Sequence, residues 1–88
     1  MEVKVIKEEK DNLLFELNNQ TVAEILRVYL NNDDAVSLAA WKIEHPGKPV
    51  TFEIKTKGKS ARKALEDAAD KIEKDSSKIA EEFKKALK

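Results

Sequence analysis

Cysteine is absent from these 88 residues, and glycine and proline occur only twice each. Without thiols there is no disulfide staple and no thiolate metal site, and a reducing, cytoplasmic interior suits the chain. So few backbone breakers leave little room for long loops. Histidine occurs once, at His45, next to Pro46 in a loop, where it reads as a solvated turn residue rather than a base or ligand. Net charge is absent too: 17 basic residues balance 17 acidic ones. Bulk electrostatics therefore draws the chain neither to DNA nor to an anionic membrane. No stretch approaches the roughly 20 apolar residues of a membrane span. The opening MEVKVIKEEK lacks the apolar run of a signal peptide. There is no GxGxxG, no P-loop and no serine beside a candidate base. No catalytic residue, cofactor or metal site is expected.

What is present is charge and pattern. Charged residues make up 39% of the chain, which at 88 residues has room for a single domain spanning 1–88. Surface scaling allows roughly 64% of the extended surface to be buried, enough for one thin core. Val3 and Val5 alternate with charge, predicting a strand over Glu2–Lys7, and Leu13, Phe15 and Leu17 predict a second after a charged turn. Thr21-Val22-Ala23-Glu24 reads as a capping box. The helix it opens carries Val22, Ile25, Leu26, Tyr29 and Leu30 on one face and stops at Asn31-Asn32-Asp33-Asp34. Val36, Leu38 and Ala40 alternate, then Trp41 and Ile43 fall one step out of phase. This predicts a strand over Ala35–Glu44 with a bulge near Ala40. Val50, Phe52 and Ile54 line one face of a fourth strand that Gly58 ends.

Ser60 reads as the N-cap of a last helix, Ala61–Lys88, with Leu65, Ala68, Ile72, Ile79, Phe83 and Leu87 three, four or seven apart. That helix is about 40 Å long, against roughly 26 Å for the strands. Its far end has little in its own chain to lie on, and an uncovered apolar stripe reads as a docking surface. Asp75-Ser76-Ser77 is a place where it kinks if its side chains capture the backbone, although the apolar spacing runs straight through. The fold class is thus a two-layer α/β domain, strand-strand-helix-strand-strand-helix. Its four-stranded sheet is mostly antiparallel, with both helices on one face.

Two further features admit two readings each. Lys55, Lys57, Lys59, Arg62 and Lys63 form the one basic cluster, at a helix N-terminus where the dipole disfavours positive charge. Such a cluster meets a partner's anions, or is neutralised by Glu66 and Asp67 four residues on; neutralisation is favoured. Trp41, the only tryptophan, is sheet core or an interface anchor, and core is favoured.

Several stretches together resemble a known family. MEVKVIKEEKDNLLFEL, TVAEILRVYL, AVSLAAWKIEHPGKPVTFEIKTKG and ARKALEDAADKIEK look like the small alpha-like subunit of archaeal RNA polymerase, subunit L, related to the eleventh subunit of the eukaryotic enzyme. Thr21, Leu26 and Arg27 match the family pattern, whereas Gln20 and Glu24 stand where members typically carry His and Asn. The resemblance implies a non-catalytic role. Such a protein pairs through its two helices with the larger alpha-like RNA polymerase subunit, known as D, and the pair seeds assembly of the other polymerase subunits. On this chain the implied face is Ile25, Tyr29, Ile72, Ile79, Phe83 and Leu87, with Thr21, Arg27 and His45 as candidate contacts to the large subunits. A homodimer using the same stripe is the alternative, since an isologous contact needs only self-complementarity. An enzyme of the pterin-carbinolamine dehydratase type wants several histidines, and RNA binding through the open sheet wants exposed aromatics. Neither requirement is met.

Overall fold

The structure, a computed structural model, describes residues 3–75. Six elements follow one another: β1 (Val3–Glu9), β2 (Asn12–Leu17), α1 (Gln20–Asn31), β3 (Val36–Lys42), β4 (Val50–Thr56) and α2 (Ala61–Asp75). The strands form one sheet in the order β1-β2-β4-β3, with all three ladders antiparallel. The two-layer α/β architecture expected from the residue pattern is the one observed.

The core grows from the central ladder. Leu13, Phe15 and Leu17 of β2 stand directly opposite Ile54, Phe52 and Val50 of β4. All six are buried, and the Phe15 and Phe52 rings stack with centroids 5.2 Å apart at an interplanar angle of 11°. Strict alternation puts the six on one face, and Glu16, Thr51, Glu53 and Lys55 on the other. Only one sheet face carries a continuous apolar set, so both helices cover that face. In α1, Val22, Ala23, Leu26 and Leu30 are buried; in α2, Ala61, Ala64, Leu65, Ala68, Ala69 and Ile72. The four alanines of α2 lack bulk, which lets that helix lie close to the sheet and to α1. α1 packs chiefly on β3 and α2 on β4 and β2, while β1 stands outside the main helical cover. Hence Val5 remains 39% exposed although it pairs with buried Phe15.

The β1–β2 loop is shorter than the predicted turn. Strand β1 continues to Glu9, which pairs with Asn12, leaving only Lys10 and Asp11 between them. Both have negative φ, since no described non-glycine residue enters the left-handed region that two-residue hairpins usually use. Outside contacts hold the loop instead. The Ala61 amide donates to the Lys10 carbonyl at 2.7 Å, and the Thr56 amide to that of Asp11 at 3.0 Å.

Two local expectations are corrected. The capping box does not form: Asn19, with extended φ and ψ, caps α1 and its side-chain oxygen accepts from the Val22 amide at 3.1 Å. Asparagine ranks at least as high as threonine at this position, and starting earlier adds Gln20 and Thr21 to the helix. Thr21 lies inside the first turn, and Glu24 pairs with Arg27. The β3 bulge lies at Ser37, between Val36 and Leu38, and not near Ala40. The Ser37 hydroxyl donates to the Lys55 carbonyl at 3.2 Å there. After the bulge Ala39 and Trp41 face the helices, whereas Leu38 and Ala40 point to the open face. Beneath α1 the small Ala39 leaves the helix room to approach. Ser60 caps α2 as expected, its hydroxyl accepting from the Lys63 amide at 3.1 Å. The stretch Ser76–Lys88, with any kink at Asp75–Ser77, lies outside the described residues.

Two substitutions test this account by denaturant unfolding. Phe52→Ala is expected to cost about 3–5 kcal/mol, because the Phe15 ring loses its stacking partner and a cavity opens between the layers. Asn19→Ala is expected to cost about 1 kcal/mol, and Thr21→Ala close to nothing. A larger loss at Thr21 than at Asn19 would return the cap to threonine.

Candidate partner interface

The outward side of α1 carries two of the candidate association residues. Ile25 and Tyr29 are one turn apart and half-buried, packed against the edge of the core. The Tyr29 hydroxyl donates to Asp75 Oδ2 at 2.5 Å, which ties α1 to the last described turn of α2. That carboxylate holds the Tyr29 phenol above its usual range, first through the hydrogen bond and then through desolvation and charge. Between Ile25 and Tyr29 stands Val28, an apolar side chain left 46% exposed. Helical phase alone does not single out Val28, because it falls outside the buried stripe. An aliphatic residue at a solvent phase of the helix is the one sequence signal that could have found it.

Of the other candidates, Ile72 is only 3% exposed and belongs to the chain's own core. It lies one turn before Asp75, so it helps fix α2 against α1. Ile79, Phe83 and Leu87 lie outside the described residues. Thr21 is exposed in the first turn of α1. The Arg27 guanidinium is held by Glu24, with Nη2 2.5 Å from Oε1. His45 is exposed in the β3–β4 connection, where its carbonyl accepts from the Lys48 amide at 3.2 Å. Among the described residues, no hydrogen bond or ion pair joins Thr21, Arg27 and His45 to one another. Trp41 is half-buried opposite Phe52 and packs on the core cluster.

The basic cluster is largely neutralised from within. Lys59 Nζ lies 2.7 Å from Asp33 Oδ2 and 2.6 Å from Asp67 Oδ2, joining the α1–β3 turn, the β4–α2 loop and the body of α2. Lys63 reaches Asp67 at 3.2 Å, the i,i+4 pairing expected. Arg62 turns instead to β1, where Nε and Nη2 bind the two Glu8 carboxylate oxygens at 3.1 and 3.0 Å. Lys59 holds the carboxyls of Asp33 and Asp67 below the usual range, helped at Asp33 by the Ala35 amide. The same pairs raise the Lys59 ammonium, through Asp33 first and Asp67 second. Elsewhere the surface offers shallow depressions, such as one of about 310 Å³ on the open sheet face beside Leu14, Ala40 and Thr51. Among the described residues no group of three or more acidic or histidine side chains is placed to hold a metal ion.

A family model described as the RNA polymerase Rpb3/Rpb11 dimerisation domain matches residues 12–82, so the chain belongs to that class of polymerase dimerisation domains. DNA-directed RNA polymerase subunit Rpo11 of Pyrococcus horikoshii is 36% identical over 94 residues, covering 100% of this chain and 99% of that protein. Its counterpart in Thermococcus sibiricus is 41% identical over 78 residues, 82% of each chain. The crystal structure of DNA-directed RNA polymerase subunit L from Thermoplasma acidophilum shares the fold, with a TM-score of 0.74. It is 24% identical and covers 94% of this chain and 85% of that one. The chain is thus a member of the subunit L, or Rpo11, family of archaeal DNA-directed RNA polymerase.

The ion network sets the expected pH response. Asp33 and Asp67 have depressed folded pKa values, so their contribution is present above the ordinary carboxylate range and disappears as pH falls through the folded values. Lys59 is raised, so its share is intact below the ordinary lysine value of 10.5 and is lost as pH rises through the folded value. Unfolding free energy measured against pH should therefore be flat near neutrality and decline at both extremes. Lys59→Met should remove about 1 kcal/mol at pH 7 and flatten the acid limb. An unchanged acid limb in that variant would exclude the Asp33–Lys59–Asp67 bridge as its source.

Proposed function

We propose that the chain is the non-catalytic assembly subunit of its polymerase and pairs in the cytoplasm with the larger alpha-like subunit. The single observation that carries this is the outer face of α1. Ile25, Val28 and Tyr29 form an apolar strip on a capped helix whose other side is already taken up by the core. In a chain of the Rpb3/Rpb11 dimerisation family such a strip is a ready half of a heterodimer, and Ile79, Phe83 and Leu87 extend it in sequence. Burying the strip between two different subunits makes the pair obligate and gives it a surface that neither has alone. The pair then serves as the platform on which the large subunits assemble.

The test is co-expression with the larger alpha-like subunit, followed by light-scattering chromatography. A one-to-one complex is expected. Val28→Asp should weaken it at least 100-fold, because a carboxylate would be buried without a partner. Its own melting temperature should hardly move, since Val28 is half in solvent. A stable homodimer that ignores the larger alpha-like subunit would replace this reading with self-association through the same face.

A further inference from the structure

Lys71 of α2 is surrounded by carboxylates that are already engaged elsewhere. On a helix its neighbours stand three and four residues away. At three are Ala68 and Lys74, which offer no anion, and at four are Asp67 and Asp75. Asp67 is bound by Lys59 at 2.6 Å and by Lys63 at 3.2 Å. Asp75 accepts from the Tyr29 hydroxyl at 2.5 Å. From outside the helix, Asp33 feels the Lys71 charge, but Lys59 holds it at 2.7 Å. Lys71 itself is exposed, and among the described residues no carboxylate lies within ion-pair distance of it.

The same contacts fix where this ammonium stands. Asp75, one turn after Lys71, meets Tyr29, and Asp33 follows the end of α1. Lys71 is therefore on the flank of α2 turned toward α1, at the Tyr29 end of the strip formed by Ile25, Val28 and Tyr29. A partner helix laid along that strip borders Lys71. A second copy of this chain has no ready anion to bring there. The carboxylates on its own helices beside the strip, Glu24 and Asp75, are held by Arg27 and Tyr29. Matched charge at the rim of an apolar contact selects among partners more than it adds affinity.

We infer that Lys71 receives a carboxylate of the larger alpha-like subunit, placed beside the apolar seam that covers Ile25, Val28 and Tyr29, and so favours that subunit over a second copy. The inference rests on the pairing proposed above. The ammonium stays at the rim, where water reaches it, so the contact weakens as salt is added.

The test is binding of the full chain to the larger alpha-like subunit at about 0.1 M and about 1 M salt, where the screening length is about 10 and about 3 Å. At the lower salt Lys71→Gln should weaken the pair about threefold and Lys71→Glu at least tenfold. Both gaps should shrink at the higher salt, and Lys71→Arg should bind like the wild type. Lys71→Gln should also keep the melting temperature of the free chain, since the residue is exposed. Lys48→Glu makes the same change of net charge as Lys71→Glu at an exposed position of the β3–β4 connection, and it should bind within twofold of the wild type. Affinity unmoved by either Lys71→Gln or Lys71→Glu, with Val28→Asp still disruptive, overturns the carboxylate contact and leaves the helix pairing standing. An equal loss at both salts assigns the effect to packing, and a loss matched by Lys48→Glu assigns it to bulk charge; each overturns the contact. If the larger alpha-like subunit is not bound at all by the wild-type chain, the helix-face reading fails and the Lys71 contact falls with it.

Discussion

Phe15 and Phe52 stack where β2 and β4 run side by side, and the two layers are built outward from that contact. The strands bearing the rings are the central pair, so each has a neighbour on its other side, and their fully buried apolar residues all fall on one face. This one-sidedness is the constraint that the remaining structure obeys. Two helices must lie on the same face, and they must share it. Each therefore keeps a flank and an outer side that the described chain does not cover. In α1 the uncovered side holds Ile25, Val28 and Tyr29. A small domain with one sheet and one apolar face has few other places from which to offer a partner apolar area.

Charge serves a different end here. The two signs balance, and the described ion pairs include matches between elements that meet at one end of the sheet. Lys59 bridges two aspartates, and Arg62 ties the start of α2 to the edge strand β1. These contacts position α2 rather than advertise a surface for anions. Basic residues around a helix N-terminus are unfavourable in isolation, but here carboxylates delivered by distant segments offset them. Distant segments also complete the β1–β2 hairpin, whose loop carbonyls are taken by the first amide of α2 and the last of β4.

Much of this was legible from spacing alone. Period-two alternation located all four strands, and the 3–4 spacing located both helices, because each pattern reports which side of an element leaves water. Legibility failed where two residues were chemically equivalent for the decision. Ala39 and Ala40 are equally small, so the sequence does not say which one turns inward, and the pattern places the phase slip on the wrong side of Leu38. Asn19 and Thr21 are both good caps, and the choice between them depends on how much chain is needed to leave β2. On the outer side of α1, phase identifies half-buried Ile25 and Tyr29 and for the same reason overlooks exposed Val28, while Ile72 of α2 is covered by its own chain.

The sequence by itself determined the element types and their order, the apolar face of each and the family to which the chain belongs. All of these are carried by local periodicity and by residues that stand in a row. Only the tertiary structure decided the strand order β1-β2-β4-β3, the partners of Lys59 and Arg62, and which apolar residues remained in contact with water. Those outcomes depend on contacts between segments up to 54 positions apart, as with Glu8 and Arg62. A periodic pattern states which side of a helix is apolar, but packing decides how much of that side the rest of the chain can reach.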